Sequence, residues 1–357
     1  MTNRRDFIKQ IAGVGMIAAM PNSIFSQVKK TDTKKTLIWA NLLHLSYNMW
    51  EDNTPEKYRT KTYPSNDCKE TMTWAQHYHP ELTFDKNVWD QLLEKMVEVG
   101  MNMVVIDLGD GVRYDSHPEI AVKGAWTPSQ LKEEVRRIRR MGLEPIPKLN
   151  FSTGHKAWLG PYQRMISTEK YYTVCKNLIE EVCQIFDTPR FFHLGMDEET
   201  AWHQKTHEYV VIRQGELWWH DFYYLIDVVQ KQNVRPWIWS DYGWDHPDDF
   251  FRKMPKSVLQ SNWYYASQFE KIDNPINEKY VRLYDKLEAH GFDQVPTGSN
   301  LQDDYNFEKT VAYCTKIVHP DRLKGFMQTI WRPTLPPCLN KHLEAINLVS
   351  NVLITRK

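Results

Sequence analysis

The chain has 357 residues, with 45 Lys+Arg against 45 Asp+Glu and 41% hydrophobic residues. That length and composition describe a globular protein with a large core, and they exclude a disordered or fibrous chain. The charge balance, with no basic run beyond short Lys pairs, gives no footprint for nucleic acid.

The first thirty residues do not read as fold. Asn3-Arg4-Arg5-Asp6-Phe7-Ile8-Lys9 is followed by an apolar run from Ile11 to Met20, a charged stretch and then an apolar one too short to span a bilayer. The Arg-Arg-x-Phe-Ile-Lys string resembles the bacterial twin-arginine export signal, with Asn3 in place of the usual Ser or Thr. The resemblance implies a periplasmic or secreted protein, with residues 1–30 as signal and linker. No Cys follows the apolar run, and no later stretch is apolar enough to cross a membrane.

From Thr36 a strand–loop–helix pattern repeats. The expected strands are Thr36–Asn41, Asn102–Leu108, Glu144–Phe151, a run over Phe191, Phe192 and Leu194, Pro236–Asp241, Val258–Trp263, Gln294–Gly298 and Gly325–Trp331. The expected helices between them are Val88–Val99, Thr127–Met141, Ser167–Phe186, Glu216–Gln232, 247–253, Glu278–His290, Asn306–Ile317 and Lys341–Leu353. A loop over 42–82, rich in Asn, Tyr, His, Trp and Pro, is long enough to be functional. Eight such beats predict an α/β fold, a single (β/α)8 TIM barrel over 31–357. The alternative doubly wound sheet would want a Gly-rich phosphate loop after the first strand, and none stands there. Five Cys at 68, 175, 183, 314 and 338 contain no CxxC; they read mostly as small buried hydrophobes, with one disulfide of undetermined pairing allowed.

In a barrel the C-terminal strand ends share one mouth. Polar and aromatic residues collect at those ends: Asp107, Lys148, Asn150, His193, Asp197, Glu198, Trp239, Asp241, Asn262, Trp263, Gln328 and Trp331. The fourth strand runs Phe191-Phe192-His193-Leu194-Gly195-Met196 into three acids, Asp197, Glu198 and Glu199. Three adjacent acids cannot be buried without partners, so they belong in solvent, in ion pairs or in a site. A pair of carboxyls suits glycoside cleavage: one delivers a proton to the leaving oxygen and the other stabilises charge. Close acids also push each other's pKa apart. Strand neighbours face opposite ways, so Asp197 and Glu198 converge only if the strand flares, and Gly195 permits that.

His193-x-Gly195-x-Asp197-Glu198 resembles the His-x-Gly-x-Asp-Glu signature of the family 20 glycoside hydrolases, the β-N-acetylhexosaminidases. Pro236-x-x-Trp239-x-Asp241, Val258-x-Gln260-x-x-Trp263 and Gly325 to Trp331 resemble that family's fifth, sixth and eighth strands. The resemblance implies Glu198 as general acid/base and Asp197 as the residue orienting a substrate 2-acetamido group, whose oxygen is the nucleophile. The resembling segments imply sugar walls at Trp239, Trp263 and Trp331; with Asp107, Lys148, Asn150, His193 and Asp241 from the strand ends they are the expected carbohydrate-binding residues, and no cofactor or metal is expected. The chain departs from the family where Asn41 and His44 stand for an Arg, where Arg332 stands for a Glu, and where only Tyr305 loosely answers the seventh-strand Tyr. The family's small domain ahead of the barrel is not expected here. Two rival readings remain. His203 and His207, four apart, would serve a metal-dependent sugar isomerase or hydrolase. A non-catalytic carbohydrate-binding barrel would keep the pocket without turnover.

Overall fold

The computed structural model describes residues 36–60 and 62–355. The expected export signal and linker, 1–30, lie outside the described residues. Eight strands pair in parallel: β1 (Ile38–His44), β2 (Met103–Asp107), β3 (Glu144–Lys148), β4 (Phe191–His193), β5 (Arg235–Trp239), β6 (Leu259–Ser261), β7 (Thr297–Ser299) and β8 (Gly325–Thr329). Their lateral order is β6-β5-β4-β3-β2-β1-β8-β7. Parallel bridges Gln260–Gln294 and Trp263–Thr297 join the two ends, with Thr297 N donating to Asn262 O at 3.0 Å. The sheet therefore closes, as a (β/α)8 barrel requires.

Prolines shape two of the strands. Glu144 N and Lys148 O bond toward β2, so residues 145 and 147 face β4. Pro145 and Pro147 have no N–H to offer there, and β3 pairs with β4 only at Lys148–His193. Near β7, Pro296 likewise cannot donate, and the strand begins at Thr297 rather than at the expected Gln294.

Helices α2 (Lys86–Val99), α3 (Pro128–Arg140), α4 (Glu169–Ile185), α5 (Glu216–Lys231), α6 (Tyr242–Asp245), α7 (Pro247–Lys253), α8 (Pro275–Ala289), α9 (Asn306–Ile317) and α10 (Leu339–Thr355) follow α1 (Cys68–Ala75). α3 opens on a capping box between Thr127 and Gln130, and α2 stops at Gly100, whose φ of 88° suits a residue without Cβ. One apolar layer fills the barrel interior, with Ala40, Leu42, Met103, Val105, Ile146, Trp237 and Met327. A second lies between strands and helices.

The stretch 42–82 is not all loop. It carries α1, capped by the Asp67 side chain accepting from Glu70 N. α1 is pinned by a disulfide from Cys68 to Cys338, 270 residues apart; Cys175, Cys183 and Cys314 are free and buried. Cys338→Ser is expected to cost about 2–5 kcal/mol in denaturant unfolding, because the bridge restricts a very long loop in the unfolded chain.

Candidate active site

The chain leaves β4 in an unusual conformation. Gly195, Met196 and Glu198 have φ of 71°, 74° and 57°, so three of four consecutive residues are left-handed. Non-glycine residues adopt this at a cost of about 1–3 kcal/mol each, and they persist only when neighbours enforce it. Asn150 is that neighbour. Its Oδ1 accepts from Ser152 N at 3.0 Å and Met196 N at 3.3 Å, while its Nδ2 donates to Asp197 Oδ1 at 2.9 Å. The coil turns both Asp197 and Glu198 toward the mouth, which a straight strand could not do. A Cβ on Gly195 would stand 2.0 Å from Asn150 Oδ1. Gly195→Ala is therefore expected to push Asn150 off Asp197, lowering the melting temperature and cutting turnover of any substrate found, read by calorimetry and initial rates.

Opposite the acids stands His155, placed by a short 3-10 turn (Thr153–His155) that Ser152 caps through Gly154 N at 2.9 Å. Its Nε2 lies 3.1 Å from Asp197 Oδ2 and 3.2 Å from Glu198 Oε2. Both are close ion pairs, neither aligned as a hydrogen bond, and Nδ1 has no partner. Burial favours the neutral ring, but the Asp197 and Glu198 carboxylates outweigh it and raise His155 to about 10. Burial likewise raises Asp197, and here the His155 charge, Lys148 and the Asn150 amide win, holding it far below the usual carboxylate range. Asp241 goes the other way: burial and the charge of Asp197 push it well up. Its Oδ2 accepts from Glu198 N at 2.8 Å and its Oδ1 from Trp263 Nε1 at 3.4 Å. The site thus sets an ionised Asp197 and a charged His155 beside Glu198, with Asp241 biased toward its protonated form.

Glu198 is 21% exposed along its side chain, against 7% for Asp197. It lines two cavities. One, about 180 Å³, is walled by Tyr47, Trp50, Asp197, Glu198, Trp263, Tyr265 and Trp331. The other, about 400 Å³, shares Glu198 and Trp263 and adds His203, Asp241, Trp244 and Tyr280. Glu198 is the one carboxyl common to both.

Other expected site residues sit deeper. Cross-strand pairing aligns His44 with Asp107, Asp107 with Lys148, and Lys148 with His193. These four form one buried row across β1–β4 and line neither cavity. Lys148 Nζ bonds Asp107 Oδ2, with His44 Nδ1 at 3.5 Å from the same oxygen. Burial, then Lys148, drives His193 far toward its neutral form, and its Nδ1 accepts from Gly195 N at 3.1 Å. Trp239, 1% exposed, lies in the barrel interior against His193 and Trp331, with ring centroids 4.5 and 5.8 Å away. Glu199 is tied to Arg213, which also meets Asp221 at 3.1 Å, so the third acid is structural. Tyr305 is 68% exposed, away from both cavities.

Several site residues were not legible in the sequence. His155 is a single loop histidine with no spacing signal. Tyr47 and Trp50 belong to the aromatic 42–82 stretch, which pointed to function without choosing residues. Tyr265 had a faint signal, two residues past Trp263; its hydroxyl accepts from Trp331 Nε1 at 2.7 Å and its ring stacks on Trp263 at 5.0 Å.

His155, Asp197 and Glu198 also offer donor atoms within 4.8 Å of one another, a cluster that could hold a metal ion. The two carboxylates favour a proton on His155, and a cation bound there would have to displace it. His203 and His207 do not form the expected pair. Residues 202–204 are a 3-10 turn, His203 is 36% exposed along its side chain and 3.5 Å from Glu198 Oε1, and His207 is buried and pushed down to about 4 by burial and Lys156.

No protein-family model matches the sequence, and no curated protein does. Solved structures do share the architecture. The barrel has the fold of the family 20 β-N-acetylhexosaminidases. A β-N-acetylhexosaminidase from Bacteroides fragilis superposes with a TM-score of 0.56 at 12% identity, over 87% of this chain and 65% of its own. The exo-β-N-acetylglucosaminidase of Vibrio harveyi gives 0.53 at 13%, over 89% and 57%. The Streptomyces plicatus N-acetyl-β-hexosaminidase gives 0.56 at 12%, over 88% and 64%. This chain therefore spans about three-fifths of the length of those proteins. Within this hexosaminidase-like barrel, the places of the family's Arg and Glu are taken by buried Asn41 and His44 and by half-buried Arg332, which donates to Asn300 Oδ1 at 3.0 Å.

Proposed function

We propose that the chain is an exported glycoside hydrolase acting on glycans with terminal N-acetylhexosamine. The observation that carries this reading is Glu198: one carboxyl facing both cavities, beside a carboxylate that His155 and Asn150 hold ionised. A sugar ring occupies the 180 Å³ cavity between Trp263, Tyr265, Trp331 and Trp50. Flat aromatic faces suit the C–H faces of a pyranose. Glu198, in its acid form, gives its proton to the bridging oxygen, and the freed alcohol departs into the 400 Å³ cavity. Asp197 receives the acetamido N–H and stabilises positive charge as the acetamido oxygen closes on the anomeric carbon. Water then opens that ring, giving its proton to Glu198 and restoring the acid. No group from the enzyme bonds to carbon, so neither carboxyl has to act as a nucleophile.

Two features support export: the Arg4-Arg5 string, and the Cys68–Cys338 disulfide, which persists in oxidising compartments. Among the described residues no helix is long and apolar enough to cross a membrane.

Paired p-nitrophenyl glycosides, with and without a 2-acetamido group, test the substrate. Cleavage of the acetamido member alone is expected. Cleavage of only the plain hexoside would rule out acetamido assistance, and loss of activity to a chelator would favour the metal cluster. Sugar binding without cleavage of either would make the barrel a binding protein.

A further inference from the structure

α1 stands between two cavities. Met72 and Gln76, one turn apart, line the 180 Å³ cavity beside Asp197 and Glu198. Trp74 lies about 200° round the helix from Met72 and lines a separate cavity of about 510 Å³. That cavity is formed between α1, residues 54–60, Thr62, Tyr63 and residues 78–84. Its walls carry the rings of Tyr63, Trp74, Tyr78 and Phe84, and its polar side chains include Arg59, Glu81 and Thr83.

The polar groups decide the ligand class. Thr83 is 7% exposed and its hydroxyl has no hydrogen-bond partner. Thr83 lines the cavity, and rotation about χ1 is the move that would bring its hydroxyl to a guest there. Arg59 spends Nε on Thr54 O at 2.9 Å and Nη1 on Glu56 Oε2 at 3.1 Å. The far edge of its guanidinium remains for a ligand. Trp74 Nε1 donates to Thr60 Oγ1 at 3.1 Å, which fixes the indole in the wall. Arg59, 65% exposed along its side chain, is solvated at the rim, whereas the buried Thr83 hydroxyl is left without a partner by a purely apolar guest. A pyranose offers ring faces to the aromatics and hydroxyls around its edge.

We propose that this cavity is a second saccharide site, holding a sugar unit on the opposite side of α1 from the cleavage cavity. The choice of a sugar over another ring compound rests on the glycosidase reading; the cavity and its unpartnered hydroxyl do not. α1, tied at Cys68 to Cys338, walls both cavities.

The test is calorimetric titration of the full chain carrying Glu198→Gln with cellotriose, mannotriose and N-acetylchitotriose in turn. Two sites are expected for at least one of them. Adding Thr83→Val should weaken one site about tenfold, the worth of one hydrogen bond, and leave the other unchanged. Adding Trp331→Ala should do the reverse. Val is nearly the shape of Thr, so the melting temperature should hold or rise on losing an unpartnered hydroxyl; a clear fall would reveal a protein partner for Thr83 and overturn the proposal. A single site insensitive to Thr83→Val, or Thr83-dependent binding of an anilinonaphthalene dye without any of the three sugars, would also overturn it. Failure of the glycosidase reading looks different: no Trp331-dependent site and no cleavage by the wild type, with the Thr83-dependent site intact.

Discussion

Glu198→Gln is expected to lower kcat on a glycoside with a poor leaving group by about 10²–10⁴-fold, the usual contribution of a positioned proton donor. The amide keeps the shape and the hydrogen-bonding reach of the acid but has no proton to give. Sugar affinity, measured by titration, should change little, because the aromatic walls supply most of the contact. A fluorinated or dinitrophenyl leaving group, which departs without protonation, should recover much of the loss. Asp241 is the control. Burial and the charge of Asp197 push its carboxyl well up, and its oxygens are engaged by Glu198 N and Trp263 Nε1. Asp241→Asn should therefore be far milder than Glu198→Gln; the reverse order would move the proton donor to Asp241.

His155→Leu should be the more damaging change to stability. His155 is 2% exposed and sits against two carboxylates. Removing one partner of a buried charge cluster typically costs about 3–5 kcal/mol, because the remaining charges lose their compensation. The pH dependence has a definite sign. His155 is raised from 6.5 to about 10, so its contribution is complete below pH 6.5 and is lost as pH rises toward 10. Asp197 is depressed from 3.8, so its contribution holds above that pH and is lost in stronger acid. Urea unfolding of the wild type should weaken between pH 6.5 and 10, and the variant should lose most of that slope. An unchanged slope would mean that His155 is neutral in the folded protein.

The barrel was legible because its strands alternate regularly with amphipathic helices. β2 is an unbroken apolar run ending at Asp107, and α9 begins and ends where its periodicity does. α1 was hidden: at eight residues, with two Thr among them, it carries too little apolar periodicity to stand out from a loop. The acids announced themselves because three adjacent carboxylates need a reason. At Asp107, Lys148 and His193 the strand-end rule does not separate a residue that faces the mouth from one that pairs sideways with its neighbours. Here the His44–Asp107–Lys148–His193 row neutralises itself inside the barrel. The residues that complete the site, His155, Trp50 and Tyr265, come from loops, where neither period nor spacing marks them. The left-handed turn at Gly195–Glu198 selects which acids point inward, and that turn depends on Asn150, contributed from beyond the end of β3.

The most direct measurement is a crystal structure of the Glu198→Gln protein with an uncleaved N-acetylhexosamine-terminated glycan in the mouth. The predicted result places the residue-198 side chain within about 2.6–3.2 Å of the bridging oxygen, with the acetamido group on Asp197 and the sugar ring against Trp331. A glycan whose bridging oxygen lies out of reach of residue 198, or a sugar seated with its acetamido group turned away from Asp197, would contradict the account.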